Sequence, residues 1–152
     1  MQKLETGEIF TGRGRNQQTN LTRPGDTRWG SHHKTLCPLV EMWKPVIKVL
    51  ENLHKDADNV AQRTTIAGLI KHMESFEFVL ILHLMIRLLG KTNNLSQCLQ
   101  LKNQNIVRAV GLIKTTLDDI QNIRQNGWGE LFKEVTDFCV KHNIVVPNME
   151  DT

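Results

Sequence analysis

Between about residue 34 and residue 143, apolar side chains return every three or four positions almost without interruption, a spacing that gathers them on one face of successive helices. The first candidate helix spans Lys34 to His54, with Leu36, Leu39, Val40, Trp43, Ile47, Leu50 and Leu53 as its face. Pro38 is tolerable there only in the first turn, and Pro45 predicts a kink or a break. The second runs from Val60 to Met73 with Ile66, Leu69, Ile70 and Met73 on one side; Asn59 is its N-cap, and Gln62 imitates a capping box. The third covers Phe76 to Leu89, is apolar around most of its circumference, and ends at Gly90. Its length without Gly or Pro favours helix over a buried strand. The fourth, from Leu95 to Gln125 behind an Asn94 cap, carries Ile106, Val110, Ile113, Leu117 and Ile120 in steps of four and three, a coiled-coil-like seam. The fifth runs from Trp128 to His142, with Trp128, Leu131, Phe132, Val135, Phe138 and Cys139 on one face. Five such helices imply an all-α bundle over residues 34–143.

Residues 1–33 lack that period. Gly7, Gly12, Gly14, Pro24, Gly25 and Gly30 punctuate them, and they read as an irregular arm; residues 144–152, with Pro147 and Glu150-Asp151, read as a tail. The arm is basic. From Thr11 to Lys34, five bases (Arg13, Arg15, Arg23, Arg28 and Lys34) face the single acid Asp26, whereas the stretch from Thr35 onward is neutral. A basic lead-in on a neutral helical body favours a polyanion near the front of the chain; a solvated linker is the alternative.

Several function classes find no support in the pattern. His83 and Arg87 interrupt the most apolar run, Phe78 to Leu89, which also falls short of the roughly 18 to 20 apolar residues of a membrane span. Met1 to Phe10 has no signal-peptide pattern. Cys37, Cys98 and Cys139, odd in number and far apart, suit a reducing compartment rather than a disulfide framework. His32, His33 and Cys37 lie close together, but the other histidines are scattered and no Cys-x-x-Cys pair exists, so no metal site and no cofactor are expected. Asp118 and Asp119 are neighbours on a helix, so their carboxylates diverge, and Asp56 and Asp58 suit capping and solvation better than acid–base work. Nothing beside a cysteine marks it as an activated nucleophile, and Cys139 reads as a small buried hydrophobe. No phosphate-binding Gly-x-x-x-x-Gly-Lys loop is present. A catalytic site is therefore not expected within this chain.

One stretch stands apart: Arg23-Pro24-Gly25-Asp26-Thr27-Arg28-Trp29-Gly30-Ser31, which joins the basic arm to the first helix. Arg28 can bridge phosphates bidentately, and Trp29 can stack on an unpaired base. Equally, Trp29 can cap the apolar end of the bundle while Arg28 pairs with Asp26.

Thr27-Arg28-Trp29-x-Ser31 followed by an amphipathic helix resembles the Thr-Arg-Trp motif of hAT-family transposases and their domesticated relatives. The similarity extends through Gly12-Arg13-Gly14 to Leu36, Gly68-Leu69-Ile70, Met73-Glu74-Ser75-Phe76, Asn94-Leu95-Ser96-Gln97, Gly127-Trp128 with Leu131-Phe132, and Val146-Pro147-Asn148-Met149. In these segments the chain resembles plant proteins of the zinc finger MYM-type protein 1-like and TTF-type classes. The resemblance implies a much longer parent, with an N-terminal zinc finger, an RNase H-like catalytic fold interrupted by a helical insertion, and a C-terminal dimerisation region. This chain is similar to the early and middle part of the insertion. The family's acidic triad lies in the flanks, so no catalytic carboxylate carries over. Arg28 and Trp29 match the family's Arg-Trp pair beside the flipped base at the transposon end. Gly30 departs from the pattern, in which many active members carry Asn, and the departure argues against strand transfer even by a longer parent. What the resemblance implies is a truncated, inactive, nuclear derivative that contacts DNA through Arg28 and Trp29; the charge of the lead-in adds Arg13, Arg15, Arg23 and Lys34 as candidate contacts. The alternative is a helical protein–protein interaction module, its partner a helical protein or the rest of the parent chain, with no DNA role and no membrane.

Overall fold

The computed structural model describes Leu21 and residues 29–102 and 105–148. Among these residues the chain forms helices and no strand: α1 (Trp29–Glu41), α2 (Trp43–Asp56), α3 (Val60–Met73), α4 (Phe76–Leu99), α5 (Ile106–Asn126) and α6 (Trp128–Lys141). The fold is an all-α bundle, with six helices where the periodicity counts five.

Pro45 explains the extra helix. Pro45 has no N–H to offer the carbonyl of Glu41, and its ring collides with that carbonyl, so a helix arriving from the N-terminal side must stop there. It does: α1 ends at Glu41 and α2 starts afresh at Trp43, leaving Pro45 in a first turn where its missing donor is harmless. The expected single helix from Lys34 to His54 is thus two. Its start also differs, since α1 begins at Trp29 and the last five residues of the expected irregular arm are helical. Pro38 consequently sits inside α1 rather than in its first turn. The bond it cannot make to Lys34 is given up, and the helix resumes at once, with Met42 N–H donating to Pro38 O at 2.9 Å.

The other boundaries follow side-chain caps. Asn59 Oδ1 accepts from Ala61 N at 2.8 Å, Ser75 Oγ from Phe78 N at 3.2 Å, and Asn105 Oδ1 from Arg108 N at 2.8 Å. Two expected boundaries are overturned. Gly90 does not end a helix and Asn94 does not cap one; α4 runs through both to Leu99, and the break falls before Asn105. Glycine at position 90 serves close approach instead: a Cβ there would lie 3.3 Å from His33 Nε2, so the bare backbone of α4 lets α1 settle against it.

α4 is the axis of the bundle. α1, α3, α5 and α6 each pack on it, while α2 lies along α3 and meets α1. The core gathers Trp43 and Ile47 from α2, Met73 from α3, Val79 and Leu82 from α4, and Leu131, Val135, Phe138 and Cys139 from α6. Trp43 is 2% exposed, with Phe138 edge-on at 5.2 Å and Phe78 tilted at 6.0 Å. Such side chains stabilise by about 1.5–3 kcal/mol each through burial alone. Beyond α6 the chain reverses at Asn143, whose φ of 57° is left-handed, and returns Ile144 to the core with its N–H on Cys139 O at 2.9 Å. The expected tail therefore contributes a core residue; Met149 to Thr152 lie outside the described residues. Leu53, Leu69 and Trp128, expected on apolar faces, are exposed. Among the described residues no helix is long and apolar enough to cross a membrane.

Candidate functional site

Of the six residues expected to contact nucleic acid, Arg13, Arg15, Arg23 and Arg28 lie outside the described residues. Trp29 is the first residue of α1, at the helix's positive end, where unpaired backbone N–H groups favour an anion. Lys34, farther along α1, is exposed. Thr35 Oγ1 donates to Ser31 O at 3.0 Å, one turn along α1. Gly30 turns toward α4, where a Cβ would sit 2.5 Å from Asn93 Oδ1. A side chain at position 30 would therefore press on the end of the flexible Asn93 side chain.

Two small clusters of titratable groups bear on chemistry. His33 Nε2 and Cys37 Sγ, a helical turn apart, are 3.5 Å from each other at the α1–α4 contact. Burial, and then the charge of Glu41, push the Cys37 thiol above its ordinary value, so it is not an activated nucleophile. A structural zinc needs four ligands, and no three His, Cys, Asp or Glu side chains converge among the described residues.

The second cluster was not legible in the sequence. His83 of α4 is 5% exposed; its Nδ1 lies 3.0 Å from Glu134 Oε1 on α6, and Arg87 Nη2 donates to Glu134 Oε2 at 2.6 Å. Burial raises the Glu134 carboxyl, but the hydrogen bonds from Arg87 and His83 outweigh it, and the group sits below its ordinary value. A carboxylate orienting an imidazole is the raw material of a general base. Here the other nitrogen, Nε2, is buried without a hydrogen-bond partner, and the ring packs edge-on to Phe138 at 5.1 Å. No substrate reaches it. The triad clamps α4 to α6, and the only hint in the sequence is that His83 and Arg87 stand one helical turn apart.

α5 is the anomaly of the bundle. It has no buried residue along its 21 positions. Leu112, Thr116, Asp119, Ile120 and Ile123 are half-buried on its inner side, where Asp119 takes Lys91 of α4 at 2.7 Å. The seam Ile106, Val110, Ile113 and Leu117 lies on another side and is 80%, 60%, 41% and 61% exposed. The α2–α3 pair leaves a solvent-open depression of about 620 Å³ bordered by Leu53, Asp56, Asp58, Ala61, Gln62 and Ile66, with no convergent titratable set.

No family model, no curated protein and no solved structure matches this chain.

Proposed function

We propose that this chain is a non-catalytic, truncated derivative of a hAT-transposase-like zinc-finger protein, a piece of the helical insertion that contacts nucleic acid through Arg28, Trp29 and the basic residues around them in the nucleus. The observation that carries the reading is the Thr27-Arg28-Trp29-x-Ser31 motif at the start of α1, which begins at Trp29 after a sequence holding Arg13, Arg15, Arg23 and Arg28 and carries Lys34 within it. An all-helical body agrees with a helical insertion and is also compatible with many other proteins. The test is binding of single-stranded and hairpin DNA across a salt series. Around four phosphate contacts give a log–log slope near −3, from ~0.7 per contact on single strands. No binding, or binding indifferent to salt, would refute it.

A second reading is a helical protein-interaction module. The exposed seam of α5 favours it, because apolar side chains at coiled-coil spacing on a helix that buries nothing are what a partner helix would cover.

A further inference from the structure

We propose that the nucleic-acid contact continues from Trp29 onto the end of the bundle where α4 gives way to α5, with Lys102 and Arg108 taking backbone phosphates of the same strand. The inference rests on the nucleic-acid reading and adds the surface along which the strand would run.

Charge is the first reason. From Thr35 onward the chain is neutral in sum, yet its charges are sorted. Between Glu77 and Asp118, 40 consecutive residues hold no Asp or Glu and carry Arg87, Lys91, Lys102, Arg108 and Lys114. α1 is likewise acid-free from Trp29 to Val40 and carries Lys34. Register is the second. Gly30 faces Asn93 and Gly90 faces His33, so α1 runs antiparallel to α4 and sets Trp29 level with Asn94. α5 turns back along α4, and the Lys91–Asp119 pair sets Arg108 level with position 102, just past the end of α4. The two acid-free segments therefore share one end of the molecule, where a phosphate strand meets attraction without repulsion. Along the axis of α4, Lys34, Trp29 and Arg108 follow in that order over about 20 Å, at about 1.5 Å per residue.

Availability selects the residues. Arg87 and Lys91 are engaged by Glu134 and Asp119. Lys114 stands one helical turn from Asp118, whose charge offsets it. Lys34, Lys102 and Arg108 are exposed, and none has an ion-pair partner among the described residues. Asn94, Ser96, Gln97 and Gln100, exposed on the last turns of α4 and just beyond, are neutral and can donate hydrogen bonds to phosphate oxygens.

Fluorescence anisotropy of a labelled oligodeoxythymidylate with the full chain, across a salt series, tests this. Two phosphate contacts beyond the four already counted should steepen the log–log slope from near −3 to about −4, at ~0.7 per contact. Lys102→Ala and Arg108→Ala should each weaken binding several-fold at low salt and make the slope shallower by about 0.7. Their circular dichroism should not change, since both positions are exposed. Lys71→Ala, in α3 within the acid-bearing part of the chain, should alter neither affinity nor slope. A slope that neither Lys102→Ala nor Arg108→Ala moves overturns the proposal. So does poly-glutamate bound as tightly as the strand, which would make this end a site for acidic protein. Complexes weakened by Arg28→Ala or Trp29→Ala but not by Lys102→Ala or Arg108→Ala sink the extension alone. If Lys102 and Arg108 carry the slope while Trp29→Ala is silent, the surface stands and the Arg-Trp contact falls. A chain that binds no strand loses both.

Discussion

Nδ1 of His83 lies 3.0 Å from Oε1 of Glu134, a contact across 51 residues of chain that joins the axial helix to the last one. Glu134 is half exposed while His83 is buried, so the pair is asymmetric. Removing the carboxylate leaves a buried imidazole with neither nitrogen satisfied and Arg87 without its ion pair. Glu134→Ala should cost about 1–2 kcal/mol in chemical denaturation, less than a fully desolvated pair would. His83→Asp should cost more, on the order of 2–5 kcal/mol, since it sets a second carboxylate into the core beside Glu134. A change near zero in either variant would mean that α4 and α6 do not meet there.

The same carboxyl sets an acid limb. Its folded value lies below the ordinary 4.5, so its stabilising contribution is fully present above that pH and is lost as pH falls through the folded value. Glu134→Gln lacks the titrating group. The stability difference between parent and variant should be widest near neutrality and narrow below about pH 4, where protonation removes the parent's advantage. A difference that holds constant down to pH 3 would rule out this linkage.

Glycines divide the helices into places that tolerate a methyl group and places that do not. Nothing stands within 4 Å of a Cβ at Gly68 or Gly111. Ala at either position should stabilise by about 0.5–1 kcal/mol, the propensity difference in an exposed helix interior. At Gly127 a Cβ would meet Ile123 O at 2.7 Å, and Gly127→Ala should instead destabilise by about 1–3 kcal/mol as the α5–α6 joint shifts. Thermal melts of the three variants are the measurement, and a stabilising Gly127→Ala would show the joint to be looser than described.

The Arg-Trp pair can be separated from mere packing with one mutant and two readouts. If the Trp29 ring stacks on a base, Trp29→Ala should weaken DNA binding by roughly 1–3 kcal/mol and leave the salt slope unchanged, because stacking releases no counterions. Arg28→Ala should lower the slope by a fraction of a unit. Should Trp29→Ala depress the melting temperature and leave binding intact, the residue is a packing element and the nucleic-acid reading is lost.

With two ligands at the His33–Cys37 pair and no convergent carboxylates among the described residues, the chain should hold no stoichiometric zinc and cleave or join no DNA in magnesium or manganese. Elemental analysis finding one tightly bound zinc per chain would contradict the spacing of its histidines and cysteines.

Periodicity made the helical class and most of the core legible: Trp43, Ile47, Met73, Leu131, Val135, Phe138 and Cys139 stand on the faces it marks, and all are buried. It failed where a local signal has two uses. Glycine after an apolar run reads as a stop, yet Gly90 is interior because His33 needs the space, a contact 57 residues away that no window contains. Pro45 acts on the carbonyl four residues before it, so the break stands at Met42 rather than at the proline. The seam of α5 was visible as a stripe, but its exposure depends on which side α4 takes. Of the candidate contact residues only Lys34 is described together with its side chain.

Ile144 gives the bundle a timetable. The residues that close the core around Trp43, namely Val135, Phe138, Cys139 and Ile144, come late in the chain, and the reversal at Asn143 must form before the last of them arrives. On a ribosome, α1 to α3 therefore emerge with Trp43 and Met73 uncovered and wait for α6. A nascent chain interrupted anywhere before residue 144 carries an open apolar cleft, the kind of surface that chaperones bind and that aggregates when none is at hand.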